Sequence, residues 1–180
     1  MRPVSPDPIA DPAGYQRHLL GLLGDDDPAA VQSATAASMR ALLGSAGADA
    51  TTPPEPTEPT EWSVVQCLAH IADAELVVSG RYRWILAHDR PQLMGYDQDR
   101  WVDQLHRPPE SADELLSLFE PLRAANLALW DRTPEERRDR IGMHAERGPE
   151  SYELTFRLIA GHDRFHLAQA ERALDAVRPS

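Results

Sequence analysis

Apolar residues recur every three to four positions through most of the chain and almost never alternate, which predicts helices and argues against strands. Two Asp-Pro pairs, Asp11-Pro12 and Asp27-Pro28, each set a side-chain acceptor before a proline at the first helical position. They predict a helix from Pro12 to about Leu23 that stops at Gly24, and a second from Pro28 to about Leu43 that stops at Gly44. The stretch that follows, SAGADATTPPEPTEPTE (residues 45–61), carries four prolines and reads as an extended, solvated tether, with a proline-recognition ligand as the alternative.

Beyond the tether, Ser63 and Gln66 form an S-x-x-Q capping box, with Trp62 and Cys67 placed as a hydrophobic staple. A long helix to His88 follows, whose apolar stripe is Cys67, Ile71, Ala74, Val78 and Ile85, with His70 beside it. Residues 89–101 read as a loop of mixed aromatic and acidic character. Ser111 and Glu114 form a second capping box, opening a helix to Asp131 with Leu115, Leu118, Leu122 and Leu129 on its inner face and Pro121 as a kink. A short turn at Thr133 and a loop, GMHAERGPES, lead into a last helix from Tyr152 to about Val177. The expectation is an all-α four-helix bundle with an extra N-terminal helix and a short extra turn, residues 1–180 forming one domain.

Composition narrows the function classes. The formal charge is −11 and every basic residue among the 18 is arginine, none clustered into a stripe, so nucleic acid is not an expected partner. One cysteine, Cys67, excludes an internal disulfide and a cysteine-rich metal site. With no apolar leader and no run of about 20 apolar residues, no membrane partner and a cytoplasmic location are expected. A small-molecule substrate is the expected partner, with a homodimer as a possible assembly.

The chemistry concentrates in GHDRFHLAQ, where Leu158, His162, Phe165, His166 and Gln169 share one helical face. Two imidazoles at positions i and i+4 can ligate one ion, and His70, facing inward from another helix, is the natural third ligand. Three neutral imidazoles suit Zn, Ni, Fe or Co and leave coordination positions open, as a catalytic site requires. The competing reading is that the pair is two unrelated core histidines. His18, His88 and His106 fall at helix ends or in loops and are assigned to the surface.

Around the triad the candidates are weaker. Asp163 holds the place of Glu in H-E-x-x-H hydrolases but is shorter and rotated off the ligand face; it is either a general base or a surface carboxylate. Asp73 shares a side with His70 and either orients an imidazole or caps and pairs elsewhere. Arg81, three turns along that face, either meets an anionic substrate or thiol or bridges two helices. Tyr96, Asp97 and Trp101 are candidates for the pocket mouth, and His144 for loop packing, substrate binding or a fourth ligand.

EWSVVQCLAHIADAE, LRAANLALW and LIAGHDRFHLAQ together resemble the DinB/YfiT-like family from about Trp62 to the end of the last helix. The specific elements are W-S-x-x-x-x-L-x-H-x-x-D and H-x-x-x-H-x-x-Q. The resemblance implies a four-helix bundle in which His70, His162 and His166 hold a divalent ion such as nickel or zinc. It also implies an activity among those of the family, which include thiol S-transfer and a thiol-dependent isomerisation. A low-molecular-weight thiol is therefore a candidate co-substrate. The alternatives are a metal-dependent hydrolase or isomerase, or a metal-binding bundle without turnover.

Overall fold

The computed structural model describes residues 6, 10–54 and 61–178. Six helices carry most of it: α1 (Pro12–Leu23), α2 (Pro28–Ala46), α3 (Val64–Ala87), α4 (Gln98–Leu105), α5 (Ala112–Arg132) and α6 (Tyr152–Val177). The four long ones, α2, α3, α5 and α6, form a four-helix bundle, and α1 packs along α6. Both capping boxes form, Ser63 with Gln66 and Ser111 with Glu114, and Asp11 and Asp27 accept from backbone N–H groups in the first turns of α1 and α2. No helix among the described residues is long and apolar enough to cross a membrane.

Helix α3 is the central stave: 18 of its residues are buried, far more than one stripe, because neighbours pack on nearly all sides of it. A main core cluster gathers Trp62, Leu68, Ile71, Leu116 and Phe119, and a second, at the other end of α3, gathers Tyr82, Trp130, Tyr152 and Phe156. Helix α1 docks very closely on α6. A Cβ at Gly161 would lie 2.1 Å from the carbonyl oxygen of Leu19, so only glycine allows this approach of the two backbones.

Several expectations need correction. Helix α2 continues through Gly44 and ends at Gly47, whose φ of 55° supplies the left-handed turn; an interior glycine costs only about 1 kcal/mol, too little to stop a helix. The tether begins as a 3-10 turn over Gly47–Thr51 with Ala50 buried, and Pro54 is buried too, so this part packs on the bundle. Residues 55–60, the rest of the proline-rich stretch, lie outside the described residues. The presumed loops contain α4 and a small three-stranded sheet: β1 (Gln92–Leu93) pairs parallel with β2 (Ile141–His144), which pairs antiparallel with β3 (Gly148–Ser151). The buried face of α5 is Leu115, Leu116, Phe119, Arg123, Asn126 and Trp130, while Leu118 is exposed. The leucine stripe misplaces this face because Arg123 and Asn126 are buried by being paired, which an apolar pattern cannot register.

Candidate metal centre

Helix α3 presents His70, and α6 presents His162 and His166 one turn apart, into the space between them. All three are buried, and one ring nitrogen from each lies within 4.8 Å of the others. His70 Nε2 and His162 Nε2 stand 2.9 Å apart. Two nitrogens on one ion, with bonds of about 2.0–2.1 Å, stand about 2.9–3.4 Å apart for angles from square to tetrahedral, so this pair's spacing fits two ligands of one ion as well as a hydrogen bond between the rings. His166 Nδ1 bonds Gln169 Oε1 at 2.8 Å, and since that oxygen only accepts, the proton is on Nδ1 and the lone pair on Nε2. That Nε2 is buried without a partner, as are Nδ1 of His70 and of His162. A cation held by Nε2 of each ring would account for the orphaned Nε2 of His166 and for the close approach of the other two Nε2 atoms, but not for the two Nδ1 atoms.

Electrostatics favour the neutral, ligating form. Burial first, then the neighbouring imidazoles, hold His70 and His162 well below the ordinary histidine value. Burial brings His166 down to about 4, against the bond to Gln169, which raises it. Trp62 roofs the group, its ring stacked on His166 at 5.8 Å and tilted over His70 at 5.0 Å, a contact that its reading as a helix staple missed.

Neither carboxylate candidate faces the imidazoles. Asp163 is buried, not superficial: its Oδ2 takes Arg123 Nη1 at 2.5 Å and Thr35 Oγ1 at 2.7 Å, and its Oδ1 takes Arg123 Nη2 at 3.1 Å. Arg123 also donates from Nε to Glu75 at 3.0 Å, and Asn126 Nδ2 holds the other Glu75 oxygen at 2.7 Å. This buried network joins α2, α3, α5 and α6 beside the histidines. Its bonded partners are 40 or more residues apart in sequence, so no local motif announces it. Asp73 orients an imidazole, but that of His106, whose Nε2 lies 2.9 Å from it while Nδ1 lies 2.7 Å from Glu110. His106 is therefore buried, contrary to its surface assignment: burial would lower its proton affinity, but the two carboxylates more than offset this and the net shift is upward. His88 is exposed, and His18 is half-buried against the edge of Phe165.

A cavity of about 160 Å³ adjoins the centre, with His162 in its wall. Four of the weaker candidates line it: Arg81 from α3, Tyr96 and Asp97 from the segment before α4, and His144 from β2. Trp101 does not line it and instead packs on Tyr96 with ring centroids 4.5 Å apart. Tyr15, Gln16 and Leu19 of α1 close another side, a contribution not evident from the sequence. Arg81 bridges no helices, since no ion pair to it occurs among the described residues; it donates from Nη2 to the carbonyl of Met94.

Fold and centre together define a helical bundle with a buried, open-sided three-histidine cluster. Residues 30–170 match the model of the DinB superfamily, and the chain belongs to that superfamily. It is 29% identical over 115 residues to a protein of Oceanobacillus iheyensis whose name places it provisionally among metal-dependent hydrolases; the match covers 63% of this chain and 65% of that one. Its fold is similar to that of YfiT from Bacillus subtilis, described as a probable metal-dependent hydrolase with an unusual four-helix bundle topology. That likeness has a TM-score of 0.74 at 20% identity, over 83% of this chain and 85% of YfiT.

Proposed function

We propose that this chain is a divalent-metal-dependent enzyme in which His70, His162 and His166 hold the ion and an external thiol attacks a small electrophile. The observation that carries the metal is the cluster itself: three buried imidazoles, held neutral, with nitrogens within 4.8 Å of one another. Zinc or nickel, and equally iron or cobalt, suits three imidazole donors. Such an ion lowers the pKa of a bound water to about 7 and deprotonates a bound thiol outright.

The protein's own part is to bind, orient and exclude water. Trp62 and Phe165 cover His166, and the cavity on the His162 side gives an approach for a small molecule. A thiol is favoured over water because an ion there would deprotonate a bound thiol outright, its proton passing to solvent, whereas bound water would be only partly hydroxide at neutral pH and the carboxylates that could complete its deprotonation are occupied: Asp163 by Arg123 and Thr35, Asp73 by His106. The chain's own Cys67 is not the nucleophile, being fully buried with its thiol pushed up to about 12 by that burial. Hydrolysis is the second reading, favoured by the descriptions of both similar proteins.

The test is metal analysis of protein purified without a histidine tag, followed by parallel assays. Metal-loaded protein is mixed with cellular thiols and a chromogenic electrophile, and separately with ester, amide and phosphate-ester substrates, each against His166→Ala. Metal-dependent thiol transfer supports the first reading, and hydrolysis alone supports the second. Full metal stoichiometry in His166→Ala overturns the centre.

A further inference from the structure

The cavity beside His162 is lined on the apolar part by Leu19, Val78, Leu158 and Ile159, and also by Arg81 and His144, each of which keeps one buried side-chain nitrogen without a partner. Arg81 is 5% exposed, yet no carboxylate pairs with it among the described residues; Nη2 reaches the Met94 carbonyl and the buried Nε has no partner. A buried cation without a counter-ion is costly. Glu150 and Glu146 act on Arg81 only through space, and Glu150 gives both oxygens to Arg147 and one of them also to Gln16 Nε2. His144 is 3% exposed, and its Nδ1 accepts the backbone N–H of Glu146 at 3.2 Å and of Arg147 at 3.4 Å. The proton must then sit on Nε2, which is buried and also without a partner. Burial, and after it the guanidiniums of Arg147 and Arg81, hold this ring neutral, with its proton affinity down to about 4.

We propose that this cavity binds a small monocarboxylate with a compact apolar body, Arg81 and His144 gripping the carboxylate and the aliphatic wall taking the body. An Arg fork and an N–H donor match the two oxygens of a carboxylate. The volume is close to that of a cavity of about 150 Å³ known to take one benzene ring. The cavity wall also carries the exposed carboxylates Asp97, Asp99 and Glu146, which disfavour a dianion such as a phosphate monoester while leaving a single negative charge tolerable. The subsite deepens the proposed function, since a carboxylate held there sets the rest of the molecule beside His162. Its existence does not depend on the metal.

The test uses full-length, chelator-treated protein and three probes: phenylacetate, phenylacetamide and phenyl phosphate, titrated by calorimetry. Phenylacetate should bind at least tenfold tighter than either of the others. Arg81→Gln should abolish that preference, His144→Gln should weaken it, and Arg40→Gln, which removes an exposed surface charge, should leave it unchanged. Equal binding of acid and amide by the wild type overturns the proposal even if Arg81→Gln fails to fold, and so does an undiminished preference in a folded Arg81→Gln. On metal-loaded protein, an Arg81-dependent preference for mercaptoacetate over acetate assigns the carboxylate to the thiol. No such preference, with phenylacetate still bound, assigns it to the electrophile. His166→Ala separates the two readings: retained metal there sinks the metal centre and leaves the subsite standing, whereas loss of the acid-over-amide preference in metal-free wild type does the reverse.

Discussion

Replacing Arg123 with methionine should be among the most damaging single changes in the bundle. Arg123 is 3% exposed, and its guanidinium sits between Glu75 and Asp163, each 1% exposed. Methionine fills much of the volume, so the chief loss is the charge, which leaves two buried carboxylates facing each other. Removing one member of a buried ionic group costs about 3–5 kcal/mol, a large share of the roughly 5–15 kcal/mol that holds a typical domain together. At about 2–4 °C per kcal/mol for a chain of this length, the melting temperature should fall by roughly 6–20 °C.

The loss should depend on pH in a definite direction. Burial already holds the Glu75 carboxyl above its ordinary value, with Arg123 the main influence opposing this. Without Arg123 it rises further. A carboxyl whose value is higher in the folded than in the unfolded chain favours folding at low pH, and that contribution is lost as pH rises through the folded value. The variant's deficit should therefore be larger at pH 8 than at pH 5.5. Urea unfolding of metal-free wild type and variant at both pH values measures it. A deficit below about 1 kcal/mol at pH 8, or one that does not change with pH, would refute the reasoning. Adding Glu75→Gln and Asp163→Asn to Arg123→Met should restore more than half of what was lost.

Three further outcomes are expected. His70→Ala, His162→Ala and His166→Ala should each lose most metal affinity, while His18→Ala and His88→Ala keep it, as read by metal content after dialysis. Metal affinity should change by no more than about threefold between pH 8 and pH 6, since the imidazoles are held neutral by burial; three ordinary histidines would lose about seventyfold over that range, so a loss of that size counts against the buried cluster. Gly161→Ala should destabilise by at least about 1–3 kcal/mol and loosen α1, seen as faster amide exchange in that helix, because its methyl would meet the Leu19 backbone.

The helices were legible in the sequence because their signals are local: an aspartate before a proline, or a serine three residues before Gln66 or Glu114, acts within one turn. The strands were not, because they are two to four residues long and include glycine and proline where alternation would be sought. Helix α4 hid for a related reason, burying only Val102. The inward placement of the histidines could be read from the four-residue spacing of His162 and His166 and from the position of His70 beside the stripe of α3. The environment of Asp163 and His106 could not. Their burial depends on Arg123 in one case and on Asp73 and Glu110 in the other, partners supplied by packing or by a loop whose path the pattern does not reveal.

Helix α1 lies outside the stretch that matches the superfamily model, yet Tyr15, Gln16 and Leu19 form part of the cavity wall. The histidines come from two staves inside that stretch, and the element that helps decide what fits beside them comes from outside it. Part of the cavity wall is thus carried by an element separable from the helices that set the imidazoles. Selection, or an engineer, can alter the α1 wall to admit a different molecule while the helices that set the imidazoles keep their register.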